Sequence, residues 1–142
     1  MIMGSKFSEY IKSRFGIILS DEFVIEERTS KVYVYSKSLD QLRLRNIHRK
    51  GILAGKLDSI YGVKPSLDFV LVFGHLAQKN NITISDDDVV RLFSGENIVL
   101  NCQPQNCTDG LVILTCRRGM GVGIAYNRGG VLQSLIPKDR RI

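Results

Sequence analysis

The stretch GLVILTCRRGMGVGIAYNRGGVLQSLIPKDRR, residues 110–141, decides the architecture. Three short apolar segments rich in β-branched residues, at 111–116, 122–126 and 131–136, are separated by Gly119 and by the run Asn127, Arg128, Gly129, Gly130. Segments of that length between turn residues read as antiparallel strands joined by tight turns. Upstream, 82–84 predicts a short strand and Ser85 an N-cap. Asp86, Asp87 and Asp88 then fill a first helical turn, where the helix dipole favours anions, and Gly95 ends the helix. Residues 97–109 read as a polar loop.

Further upstream the pattern changes. Pro65 disfavours helix at Lys64 and Ser66 can cap the segment after it, so a buried helix is expected from 67 to about 79, although the run at 69–73 has strand composition as well. The element Lys50, Gly51, Ile52, Leu53, Ala54, Gly55, Lys56, Leu57 carries two glycines that permit a tight turn or a close backbone approach. A brief helix is expected at 38–45, with Leu39 and Leu42 inward. The segments 23–28 and 31–36 form a hairpin across Thr29 and Ser30, and Phe7, Tyr10, Ile11 and Phe15 line one face of an opening helix between Ser5 and Gly16. The expected fold is therefore α+β: an α/β unit at 1–80 and a second unit at 81–142, built as a small β-barrel, with the boundary near Asn80.

At 142 residues, 16.0 kDa and 44% hydrophobic content the chain can bury a core, which excludes disorder as its main state. No apolar run reaches the ~20 residues of a membrane span, and MIMGSKFSEY lacks the apolar middle of a secretion signal. A soluble, cytoplasmic protein with no membrane partner is the expectation. Three cysteines do not make a disulfide framework. The net charge of +6 is unevenly placed. Residues 1–42 sum to zero and 65–109 to −4, whereas 43–64 and 110–142 each carry +5. Two separated cationic islands that converge on folding would make a surface for a polyanion, because neutralising phosphates releases counterions.

Catalytic readings are weaker. Gly119, Gly121 and Gly123 have the wrong spacing for a dinucleotide loop and precede a strand, so they read as turn and packing positions. Cys102 and Cys107 form one pair without a second; with Cys116 and His48 or His75 they give a poor zinc set. His75 reads as a core or boundary histidine. No metal, cofactor or catalytic residue is expected.

The order of strand, acid-capped helix, loop and then GLVILTC, GMGVGIAY and GGVLQSLIPKDRR resembles a PUA domain, a small RNA-binding β-barrel module. The ending LQSLIPK with Arg140 and Arg141 is similar to the PUA-like domain of Nol1/Nop2/Sun-family RNA cytosine-C5 methyltransferases. The element around Gly55, Lys56 and Leu57, with the apolar run after it, resembles the pre-PUA domain of archaeal and eukaryotic ribosome-assembly factors. These resemblances imply a non-enzymatic protein that binds structured rRNA or tRNA, in ribosome assembly or as an accessory to RNA modification, with proteins of those processes as further partners. A methyltransferase would need a cofactor-binding parallel sheet and a nucleophilic cysteine, for which this chain has no room. The candidate RNA contacts are Lys50, Lys56, Lys64, Arg117, Arg118, Arg128, Lys138, Arg140 and Arg141, with Arg91 a weaker one and the Asp86 end of its helix repelling phosphate. The alternatives are an assembly adaptor with an exposed apolar patch in 1–80, and a small RNA-modifying enzyme with an unrecognised site.

Overall fold

The computed structural model describes residues 5–40, 51–58, 62–100 and 103–142. Lys50, His48, Cys102 and the 41–45 part of the brief helix lie outside them.

Ser5 and Gly16 bound the first helix, α1 (Lys6–Phe15), as their chemistry dictates: the Ser5 hydroxyl accepts from the Ser8 amide, and Gly16 takes the left-handed conformation at φ 70°. The hairpin β1 (Phe23–Arg28) and β2 (Lys31–Ser36) turns over Thr29 and Ser30, and α2 (Lys37–Asp40) comes next. The glycine element forms a strand, β3 (Gly51–Asp58), paired with β2 and with β4 (Gly62–Pro65), so the first sheet runs β1-β2-β3-β4, antiparallel throughout. Gly55 is obligatory there. A Cβ on it would lie 2.7 Å from the Lys64 carbonyl and 2.9 Å from the Phe7 ring.

Ser66 caps α3 (Leu67–Phe73), accepting from the Phe69 amide. This helix is shorter than the apolar run suggests. Gly74 opens a 3₁₀ turn (Gly74–Leu76), Ala77 is extended, and the Gln78 and Lys79 amides go to the Phe15 carbonyl. Gly74 also lies close against Gly121, where a Cβ would meet backbone at 3.1 Å. His75 in that turn is exposed rather than in the core.

The second sheet contains β5 (Asn81–Thr83), β6 (Ile98–Val99), β7 (Gly110–Thr115), β8 (Gly121–Arg128) and β9 (Val131–Ser134), in the order β5-β7-β8-β9-β6, and it curls into a half-barrel. Helix α4 (Asp86–Phe93) is capped by Ser85 as expected. Two features depart from the sequence reading. The loop at 97–109 contains β6, which pairs with β9, and β5 runs parallel to β7. The β8–β9 turn is tight, with Gly129 and Gly130 both at positive φ, and Asn127 and Arg128 belong to the strand before it.

The core crosses the expected boundary at Asn80. Phe7, Phe15, Phe69 and Phe73 pack in one cluster with Leu111, Ile113 and Ile124 of the second sheet, Phe7 edge-on to Phe69 at 5.2 Å. A second cluster joins Leu67 to Leu92, Leu114, Leu132 and Ile136. Burying each large apolar side chain is worth about 1.5–3 kcal/mol, so the two sheets stabilise each other through α1 and α3. Asn80 itself is buried and fully used. Its side chain donates to the Arg14 carbonyl at 2.6 Å and accepts from the Thr108 amide at 2.9 Å.

Candidate nucleic-acid interface

Strand alternation fixes which cations can reach a ligand. On β3 and β4, Gly55, Val63 and Pro65 face the core, so Lys56 and Lys64 project from the opposite, outer face, directly across from one another in register. Lys56 is exposed and Lys64 half-buried with contacts of its own. Among the described residues Lys56 makes no ion pair.

The C-terminal cations sit at one end of the second sheet. Antiparallel register carries β9 and the segment after it back along β8 toward Gly121, the Leu135 amide donating to the Ile124 carbonyl on the way. The β7–β8 turn with exposed Arg117 and Arg118 lies at that same end. A final 3₁₀ turn (Lys138–Arg140) comes after Pro137, and there the Arg140 guanidinium meets the Asp68 carboxylate at 3.3 Å. Asp68 belongs to the first turn of α3, shortly beyond Lys64 in the chain. One contact thus joins the tail of the second island to the helix after the first. Arg141 donates to the Ile136 carbonyl at 3.1 Å and lies over Gly95, where a Cβ would be 2.8 Å from its guanidinium.

Not every expected contact gathers here. Arg128 lies at the far end of β8, with its guanidinium 5.3 Å from the centre of the Tyr126 ring. Arg91 is 3.5 Å from Asp88. The acidic first turn of α4 points away from the tail, because the Ile142 amide reaches the Phe93 carbonyl at the opposite end of that helix.

Arg14 is the cation that charge counting overlooked. Half-buried at the end of α1, it donates to the Leu111 carbonyl at 2.8 Å and to the Thr108 carbonyl at 2.9 Å, fixing α1 to β7. Its pattern in the sequence is that of an ordinary last-turn basic residue, and only the tertiary fold reveals its partners. The glycines near the second island have packing duties: a Cβ on Gly121 would lie 2.2 Å from the Val70 carbonyl, and one on Gly123 2.4 Å from the Leu92 side chain.

Cys107 is buried in the second cluster, and burial pushes its thiol above the ordinary value of 9.0 against a smaller lowering by Arg14. Burial likewise raises the Tyr10 phenol. Among the described residues no group of three or more His, Cys, Asp or Glu side chains is placed to hold a metal ion, and no helix is long and apolar enough to cross a membrane.

No protein-family model matches the chain. Ribosomal RNA small subunit methyltransferase F of Shewanella piezotolerans is 28% identical over 137 residues, a match that covers 92% of this chain and 26% of that protein. The chain therefore spans about a quarter of that relative's length. The distant similarity extends across both sheets, well beyond the C-terminal segment that carries the PUA resemblance.

Proposed function

We propose that this chain is a non-catalytic RNA-binding module that grips structured RNA, ribosomal RNA first and transfer RNA as the other class, within ribosome assembly or RNA modification. In this reading the half-barrel of β5–β9 serves as a PUA-like domain and the β1–β4 sheet with α1 and α3 as its pre-PUA-like companion. The observation that carries it is the Arg140 to Asp68 contact, which sets the C-terminal basic segment beside the helix after Lys64. Arg117, Arg118 and Lys138 at the same end extend that cationic margin. The similarity to a ribosomal RNA methyltransferase supports the choice of RNA. Duplex RNA offers proteins its phosphates and shallow minor groove, so the grip is electrostatic and shape-based.

The test is a titration of small-subunit rRNA fragments at graded salt. Affinity should fall linearly in log–log form, with a slope that counts phosphate contacts. Failure of folded protein to bind any fragment at low salt would exclude the reading.

One observation favours a second role. Leu71, Val72 and Leu76 are exposed on α3 and the turn after it, an apolar surface in the first 80 residues that suits a protein partner. If an assembly or modification protein bound the Val72→Asp variant as tightly as the wild-type chain, that surface would have no such role.

A further inference from the structure

The outer face of the first sheet carries a row of four cations that no count along the chain displays. Register places Arg28 opposite Lys31, Lys31 opposite Lys56, and Lys56 opposite Lys64, one from each of the four strands. All four lie on the face away from the core, since Val32, Gly55 and Pro65 next to them in sequence face inward. Directly opposed like charges on one face oppose sheet formation. Glu26 meets Arg28 at 2.5 Å and relieves one end, while among the described residues Lys31 and Lys56 make no ion pair.

A backbone irregularity maintains the row. The β2–β3 register shifts between Val32 and Tyr33, where Ala54 is the extra residue, so that both Ala54 and Gly55 turn toward the core. Without that bulge Lys31 would stand opposite Gly55, and Lys56 would fall out of line with it. The bulge thus re-aims Lys56 onto the outer face, in line with Lys31 and Lys64.

The geometry points to a phosphate track: the sugar–phosphate backbone of one RNA strand crosses the first sheet at right angles to its strands, over Arg28, Lys31, Lys56 and Lys64. This rests on the RNA-binding reading and adds Arg28 and Lys31 to it. With strands ~4.8 Å apart the row is ~14 Å long, a length that several successive phosphates of one strand span. Tyr33, the next residue along β2 on the same face as Lys31, is buried, so the evenly spaced charges of the row suit backbone rather than base recognition.

The test compares two charge-matched double variants in fluorescence titrations with a small-subunit rRNA hairpin, with heparin as a competing non-nucleic polyanion. Lys31→Gln/Lys56→Gln removes the middle of the row; Lys6→Gln/Lys12→Gln removes two exposed lysines of α1. The row variant should flatten the log–log salt slope by about 1.4, at ~0.7 for each phosphate of a single strand that is no longer neutralised. The α1 variant should leave the slope near wild type. Equal slopes for the two variants, with wild type still binding RNA, would overturn the track and leave the RNA reading standing. Absence of RNA binding by wild type overturns both. Row-dependent binding of heparin without RNA binding overturns RNA as the occupant. Circular dichroism melts establish that each variant is folded, and Lys31→Arg/Lys56→Arg, which keeps the charge, should restore the slope.

Discussion

The first sheet displays two of the four cations in its row, and the second sheet with its tail ties most of its own down. Lys31 and Lys56 extend from strands without an ion pair among the described residues. In contrast, Arg140 meets Asp68, Arg141 reaches the Ile136 carbonyl, Arg128 lies over Tyr126, and Arg91 faces Asp88. The difference reflects the chemistry of the two side chains. A guanidinium forks several fixed donors onto carbonyls, carboxylates and rings, whereas an ammonium is a compact, mobile point charge. Net charge alone therefore does not show where cations gather on the fold: the neutral block at 1–42 supplies two members of the cationic row, and part of the +5 tail is occupied with holding the fold.

Both sheets must stand in one rigid frame for this contrast to hold, and Phe69→Ala tests that most severely. Phe69 is fully buried, edge-on to Phe7 and 5.2 Å from the Phe73 ring, in the cluster that also holds Ile113 and Ile124. Truncation should cost about 3–5 kcal/mol of unfolding free energy. Far-ultraviolet circular dichroism and tyrosine fluorescence should report one shared transition in urea. Two separated transitions would show the sheets to be independent bodies.

Asn80→Ala probes the seam with a smaller effect. It leaves the Thr108 amide and the Arg14 carbonyl without their side-chain partner and places alanine at φ 51°. About 2 kcal/mol of stability should disappear, read from urea midpoints. Because Arg14 is anchored through the same seam, hydrogen exchange at the Leu111 end of β7 should quicken before exchange in β2 does.

Local chemistry made much of this frame legible. Ser5, Ser66 and Ser85 each cap the helix they precede, and Gly16 takes the left-handed turn expected of it, because caps depend on residues within one helical turn. Ile98 and Val99 were hidden in a polar loop, since a two-residue strand exists only through its pairing with Leu132 and Val131. The parallel placement of β5 and the early end of α3 at Gly74 likewise depend on partners distant in sequence. For the candidate site, Lys56 and Lys64 were readable as an island. Arg28 and Lys31 were not, because cross-strand register and the bulge at Ala54 decide that they join it.

Replacing Lys138, Arg140 and Arg141 together with alanine sharpens the contrast between displayed and committed cations. RNA affinity should fall, and the salt slope should flatten by about 1, less than on removal of Lys31 and Lys56, since Arg140 and Arg141 already hold protein partners. The same variant should lose about 1 kcal/mol of stability, whereas the lysine pair of the row should lose none. A flattening larger than that of the row would reverse the assignment and make the tail the main phosphate contact.

The smallest effect lies at alkaline pH, where burial raises the pKa of one group in each region. Burial raises the Tyr10 phenol on α1 above its ordinary 10.0 and the Cys107 thiol above 9.0, and Arg14 draws both partly back. Each folded form therefore holds its proton more tightly than the unfolded chain does. That preference stabilises fully below the ordinary value and is lost as pH rises through the raised one. Stability should decline as pH rises past the ordinary values, first from the thiol above 9.0 and then from the phenol above 10.0. Cys107→Ala should remove the early part of the decline and Tyr10→Phe the later part, read as the change of urea midpoint with pH within each variant. Arg14→Met, by withdrawing the cation shared between the two regions, should shift both parts upward together. If it moved only one of them, Arg14 would not be acting as the electrostatic link between α1 and the second sheet.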